Sequence, residues 1–297
     1  MAVSDSDRLK RKCMPVKIDN IKILNETLDI CNKGFYSQAD IRKPLKLTKN
    51  EMCEIRVYLP DDIENLKSDT GRDGKKIPET SCENADSYTV ARQLADSGLS
   101  DRNILVLNLA NAVHPGGGVR RGARAQEEDL CRKSSLLISL ESETAERYYD
   151  YNMSIHTLMG SDAVMITPNV EIIRDENYHL LDNTSVVSVM TCAAPNVREG
   201  FDGMTESEYK TMLYNRAVAM LSVAAYEKYD VIVMGAFGCG AFANDARVVA
   251  DIFYKAIKAF SYKGEGADKL FKKIDFAVLD NARNHYYNFE QFSKYFG

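Results

Sequence analysis

The stretch Ile104–Arg132, ILVLNLANAVHPGGGVRRGARAQEEDLCR, decides how this chain is read. It opens on a continuous apolar run, Ile104–Leu107, the pattern of a strand covered on both faces. Three glycines, Gly116, Gly117 and Gly118, then remove every side chain from a short arc. Such an arc can pass close to another group and turn its N–H groups toward anionic oxygens. Gln126, Glu127, Glu128 and Asp129 follow at an expected helix start, where acids interact well with the helix dipole. The unit reads as strand, glycine turn and helix.

A second unit of this kind lies toward the C-terminus. Val231–Met234 reads as a buried strand and runs into Gly235-Ala-Phe-Gly-Cys-Gly-Ala-Phe-Ala-Asn-Asp245. Asn244 or Asp245 can cap a helix that carries Val248, Val249, Ile252, Phe253 and Ile257 on one face. The remaining strands are expected at Ala163–Thr167 and Val170–Arg174, around a Pro168-Asn169 turn, and at Val186–Met190 and Ile274–Leu279. Helices are expected at Ser87–Asp96, from the glycine loop through about Leu140, at Thr144–Ile155 and from about Arg283. A capping box, Thr205-Glu-Ser-Glu208, opens a further long helix. Alternation of this kind implies a sheet with helices on both faces. In such sheets ligands sit beyond the carboxyl ends of the strands, so both glycine loops are placed on one edge.

The part before Asn84 looks different. Ile18–Cys31 has helical spacing, with Gly34 as its stop. Short β-like pieces such as Cys53–Val57 follow, then a polar loop at Asp69–Pro78. The expected organisation is an N-terminal extension, residues 1–83, packed on a core of residues 84–297.

Bulk properties narrow the function. The 297 residues are 45% hydrophobic and 27% charged, with a formal net charge of −5. That composition is ordinary for a globular protein. It offers no basic excess for bare DNA or RNA, so a nucleotide-like ligand needs a local pocket. Seven cysteines contain no C-x-x-C pair. This argues against a zinc site or a disulfide framework and fits free thiols in a cytoplasmic protein. No signal peptide and no membrane helix are expected.

Each motif has a bland reading beside the sharp one. An isolated GGG is usually a surface loop, and two acids at a helix start usually serve the dipole; Asp129 is read that way. Phe237 and Phe242 can be core residues. Cys239 has no histidine near it in sequence, so it reads as a small packed residue. The four histidines show no metal spacing, and His114 reads as loop structure. Arg120, Arg121 and Arg124 read as a solvated loop face, with substrate phosphates as the other possibility. Asp280-Asn281 can line a pocket or cap the last helix.

Asn111, the Gly116–Gly118 triplet and Gln126-Glu127-Glu128 together match the GGG-then-QEE signature of poly(ADP-ribose) glycohydrolases. The sequence resembles the microbial-type members over most of its length, including the segment near Glu26–Ile30. The resemblance implies a macrodomain-like three-layer α/β/α sandwich with a mixed sheet. It also implies that Glu128 is the catalytic acid, that Glu127 orients ribose hydroxyls and that Asn111 holds the distal ribose. The GAFGCGAF segment resembles the family's diphosphate-binding loop, with Phe242 against the distal ribose and Ala243 where glycine is expected. Gly116, Gly117, Gly118, Val119, Gln126, Gly235, Phe237, Gly238, Cys239, Gly240 and Ala241 complete the expected substrate-binding set.

The implied reaction is hydrolysis of ribose–ribose O-glycosidic bonds without metal or cofactor. Glu128 would protonate the leaving oxygen and then activate water. A helix N-terminus favours the ionised form, whereas the bound diphosphate, the neighbouring Glu127 and desolvation would push the proton onto Glu128. The same loops would also suit a mono-ADP-ribosyl hydrolase acting on protein or nucleic acid, or a reader that binds ADP-ribose without cutting it. A reader has no use for the Gln126–Glu128 triplet.

Overall fold

The computed structural model describes residues 19–66, 68–70, 76–98 and 103–297. Its centre is Ile104–Ala110, the strand with which the sequence reading began. The side chains of this strand alternate between two cores, as period-two geometry requires. Leu105 and Leu107 enter one hydrophobic cluster, whereas Ile104 and Val106 enter the other.

In chain order, the central sheet contains β1 (Arg56–Tyr58), β2 (Glu79–Glu83), β3 (Ile104–Ala110), β4 (Val164–Arg174), β5 (Leu180–Ala193), β6 (Val231–Met234) and β7 (Lys273–Ala277). The spatial order is β1-β4-β5-β3-β6-β7-β2. From β5 to β2 every pairing is parallel; β4 runs antiparallel to β5, and β1 antiparallel to β4. The sheet is therefore mixed, and helices cover both of its faces.

One face carries α5 (Glu206–Tyr226), α6 (Ala246–Ala259) and α7 (Tyr287–Phe296). The other carries α2 (Ser87–Asp96), α3 (Gln126–Lys133) and α4 (Glu143–Ser154), with α1 (Asn20–Lys33) laid against α3. Local chemistry sets the helix ends. Gly34 ends α1 in the left-handed conformation at φ 73°, where only glycine is free of a steric cost. The capping box at Thr205 and Glu208 forms as expected and starts α5.

Four details differ from the sequence reading. Pro168-Asn169 is a bulge inside one long strand, because β5 pairs with β4 on both sides of it. The helix expected to run to Leu140 breaks at Ser134, which turns extended to bridge Ile172, and a short helix at Leu136–Leu140 follows. The last helix starts at Tyr287 after a 3₁₀ turn at Ala282–Asn284. The residues before Asn84 do more than pack on the core: β1 and β2 are the two edge strands of the central sheet. Of the polar loop expected at Asp69–Pro78, residues 71–75 lie outside the described residues.

Candidate active site

A cleft of about 1260 Å³ opens along the carboxyl ends of the parallel strands. Asn84, Leu109, Ala194, Ala236 and Val278 line it, each at or just beyond the end of a different strand. Glu128 and Gly117 line it on one side, and Gly238, Gly240, Ala241 and Phe242 on the other. The two glycine-rich loops thus face one space.

The first loop is built around its own acids. Glu127 is 2% exposed and Glu128 7% exposed. One oxygen of Glu128, Oε1, accepts the Gly118 N–H at 2.8 Å, whereas Oε2 is buried with no hydrogen-bond partner. Glu127 accepts the Asn111 N–H at 2.8 Å and the Asn108 side-chain amide at 3.2 Å. Burial pushes the Glu127 carboxyl up to about 8, against the pull of these donors and the Gly116 N–H, and the charge of Glu128 adds to the rise.

Gly117 shows why glycine is needed here. Its φ is +58°, and a Cβ on it would lie 2.6 Å from Glu128 Oε1 and 3.0 Å from Glu127 Oε2. Both carboxyl groups therefore converge on the space this glycine leaves. The loop's N–H groups serve the protein itself. Gly117 donates to the His114 carbonyl, Val119 to Gly116, and Gly118 to Glu128. Gly116 sits behind the loop, where a Cβ would meet Leu137 at 2.7 Å, and Val119 is buried in the helix-side core. Neither lines the cleft.

Gln126 and Asn111 are fasteners as well as wall residues. Gln126 accepts from Leu109 N–H and donates to the Leu107 carbonyl and Ser87 hydroxyl, fixing the start of α3 to the end of β3. The Asn111 side-chain oxygen accepts the N–H groups of Val113 and His114, which closes the turn before the glycines. Its amide nitrogen has no partner among the described residues and belongs to a side chain that lines the cleft.

The second loop is the reverse of the first. Gly238, Gly240, Ala241 and Phe242 line the cleft, and their backbone N–H groups have no partner among the described residues. Gly238 has φ +73°, and a Cβ there would lie 2.3 Å from Asn244 Nδ2 and 2.6 Å from the Ala194 methyl. Asn244 holds the loop shut: its amide donates to the carbonyls of Pro195 and Gly238, and its oxygen accepts the Tyr209 hydroxyl at 2.6 Å. Asp245, not Asn244, caps α6. Ala243 has φ +60°, so the expected glycine position does take the left-handed conformation, with alanine in it.

Three expected residues of this loop lie away from the cleft wall. Gly235 packs against Leu109 and the Ala277 carbonyl. Phe237 is fully buried beside Phe253. Burial raises the Cys239 thiol well above its ordinary range, and its Sγ lies 3.6 Å from the Phe237 carbonyl; this is a packed thiol, not a nucleophile. Asp280 likewise caps the last helix, accepting the N–H groups of Asn288 and Phe289.

Sequence reasoning missed several parts of the site. Asn108 is fully buried and bridges Glu127 to Thr191. Lys133, also buried, pairs with Asp129 at 2.7 Å and Asp86 at 3.4 Å, and the Tyr178 hydroxyl donates to Asp129. Lys133, Asp129, Asp86 and Tyr178 form one corner of the cleft. Asn108 is a polar position in an apolar strand, the one signal that could have marked it, whereas Lys133 ends the polar helix QEEDLCRK and carries no such signal.

A buried acid pair facing open backbone donors across the carboxyl edge of a mixed α/β/α sheet defines the class: a macrodomain-like hydrolase site. The family model for the catalytic domain of microbial-type poly(ADP-ribose) glycohydrolase matches residues 25–175, and the chain belongs to that family. A solved poly(ADP-ribose) glycohydrolase from Thermomonospora curvata, bound to the inhibitor ADP-HPD, is 28% identical with a TM-score of 0.81, covering 93% of this chain and 99% of that one. The Deinococcus radiodurans enzyme in complex with ADP-ribose is 32% identical with a TM-score of 0.71, covering 83% of this chain and 96% of that one. No curated protein matches the chain by sequence.

Proposed function

We propose that the chain hydrolyses the ribose–ribose O-glycosidic bonds of poly(ADP-ribose), with Glu128 as the group that moves the proton. The observation that carries this assignment is the state of the Glu128 carboxyl. One oxygen is fixed by the Gly118 N–H, and the other is buried, unpartnered and part of a side chain that lines the cleft. An unpaired buried carboxyl oxygen is costly unless something completes it. A glycosidic oxygen or an attacking water is a fitting partner.

The rest of the site supplies positioning. The free N–H groups of Gly238, Gly240, Ala241 and Phe242 are suited to a diphosphate. With the diphosphate held there, the attached sugar reaches across to Glu128. Phe242 and the Asn111 amide are placed to contact that sugar. Glycoside cleavage passes through an oxocarbenium-like state. Glu128 protonates the leaving ribose oxygen as the bond breaks, then takes a proton from the water that attacks the anomeric carbon. Burial pushes the neighbouring Glu127 carboxyl up to about 8, so that acid keeps its proton at neutral pH. Glu127, gripped by Asn108 and Asn111, keeps the loop and its partner acid in register.

The free thiols Cys31, Cys53, Cys82, Cys131, Cys192 and Cys239 suit a reducing compartment, and we place the enzyme in the cytoplasm. Among the described residues no helix is long and apolar enough to cross a membrane.

The test is release of free ADP-ribose from poly(ADP-ribose), followed by chromatography, for the wild type and Glu128→Gln. The wild type should release it and the variant should be slower by at least ~100-fold, the usual scale of a lost general acid. Turnover by the variant at the wild-type rate would overturn the role given to Glu128.

A further inference from the structure

The three arginines of the first loop are not equivalent. Arg120 forms a two-pronged pair with Glu141, at 2.8 and 2.6 Å, and is absent from the cleft wall. Arg121 and Arg124 line the cleft, are exposed, and have no acidic partner among the described residues. The arginine that does not line the cleft is neutralised, and the two that line it are left charged.

Their base is rigid. Asn20 of α1 donates to the Gly122 carbonyl at 2.9 Å, and the buried Arg132 donates to the Ala123 carbonyl at 2.6 Å. The N–H groups of Arg121, Gly122 and Ala123 all bond back into the loop. Such bracing is not what a freely solvated turn requires, and it lowers the cost of holding the two side chains over a ligand. Arg121 also stands close to the chemistry. A Cβ on Gly118 would lie 3.5 Å from Glu128 Oε1 and 3.8 Å from the Arg121 guanidinium.

The diphosphate of the unit being cut already has its donors in the second loop. Guanidinium groups on the opposite wall therefore need a different anion. At about 1260 Å³ the cleft exceeds the roughly 300–1,000 Å³ typical of a single small ligand. We propose that Arg121 and Arg124 hold a phosphate of the ADP-ribose unit adjoining the one being cut. This rests on the glycohydrolase reading of the same site and makes the pair a specificity element for polymer over a single attached unit. Arginine suits the task because its fork matches phosphate geometry and its charge is permanent.

The experiment compares affinity for poly(ADP-ribose) and for monomeric ADP-ribose in the slowed variant Glu128→Gln, with and without R121Q/R124Q. The double change should weaken polymer binding by about tenfold at low salt, on the scale of two exposed ion pairs. It should also flatten the salt dependence by roughly one phosphate contact. Affinity for ADP-ribose should stay within about twofold, because the diphosphate of that unit has its donors in the second loop. R121K/R124K should restore part of the polymer affinity. Unchanged polymer affinity would overturn the proposal, as would a parallel loss of ADP-ribose affinity, which would place the arginines on the unit already gripped. A failure of the glycohydrolase reading would show separately, as wild-type protein that releases no ADP-ribose.

Discussion

The two glycine-rich loops look alike in sequence and do opposite things. Both follow a buried strand, both precede a helix, and both reach the same cleft. In the first, N–H groups are occupied by the protein's own oxygens, including those of Glu127 and Glu128. In the second, four N–H groups of cleft-lining residues have no partner among the described residues. Glycine thus serves two ends: room for two carboxyl groups at Gly117, and an open donor array kept in shape by Gly238. A glycine run after a strand therefore does not by itself identify an anion site. What decides is whether acids follow it closely enough to take its donors.

Substitutions that move one loop without the other sharpen this contrast. The largest effect is expected from Gly117→Ala. The added methyl occupies the space into which both carboxyl groups reach, so kcat should fall by about 100-fold, the cost of an ångström-scale misplacement. Affinity for ADP-ribose should change far less; an equal loss of both would mean that the first loop grips the ligand too. Gly238→Ala should show the converse. Its methyl strikes Asn244 and Ala194, and ADP-ribose affinity measured by calorimetry should fall by at least ~10-fold, about 1.4 kcal/mol.

A smaller effect concerns Glu127 and pH. A glutamate in the unfolded chain loses its proton near 4.5, whereas the buried Glu127 does so near 8. Between those values folding takes up a proton, so the stabilisation present below pH 4.5 is lost as pH rises and is gone above about 8. Thermal unfolding from pH 5 to 9 should show the wild type losing more stability than Glu127→Gln. Parallel curves would mean that the carboxyl is ionised throughout. The smallest change is Ala243→Gly in the second loop. Relief of the left-handed alanine at φ +60° should stabilise the fold by about 1 kcal/mol, read as a higher midpoint in urea.

Much of this was legible in the sequence where periodicity and local chemistry agree. Ile104–Leu107 and Val231–Met234 announced central strands, Thr205 and Glu208 their capping box, and the two glycine loops their common edge. The illegible parts depend on partners distant in sequence. Pro168-Asn169 has the composition of a turn, and only pairing to β5 makes it a bulge. Gln126 lines the cleft, but its side-chain hydrogen bonds to Leu109, Leu107 and Ser87 join residues 17 to 39 positions away in the chain. Phe237 and Phe242 lie five residues apart in one loop, yet one is core and the other wall. Nothing local told the edge strand Glu79–Glu83 from a loop, because its order comes from β7.

Titration of ADP-ribose into Glu128→Ala, set beside its turnover of poly(ADP-ribose), tests the division of labour between the loops most directly. With the grip and the acid on separate loops, the variant should bind ADP-ribose within about threefold of wild type, a difference of ~0.7 kcal/mol, while its hydrolysis is abolished. Full hydrolysis, or an affinity that collapses along with the rate, would contradict the account.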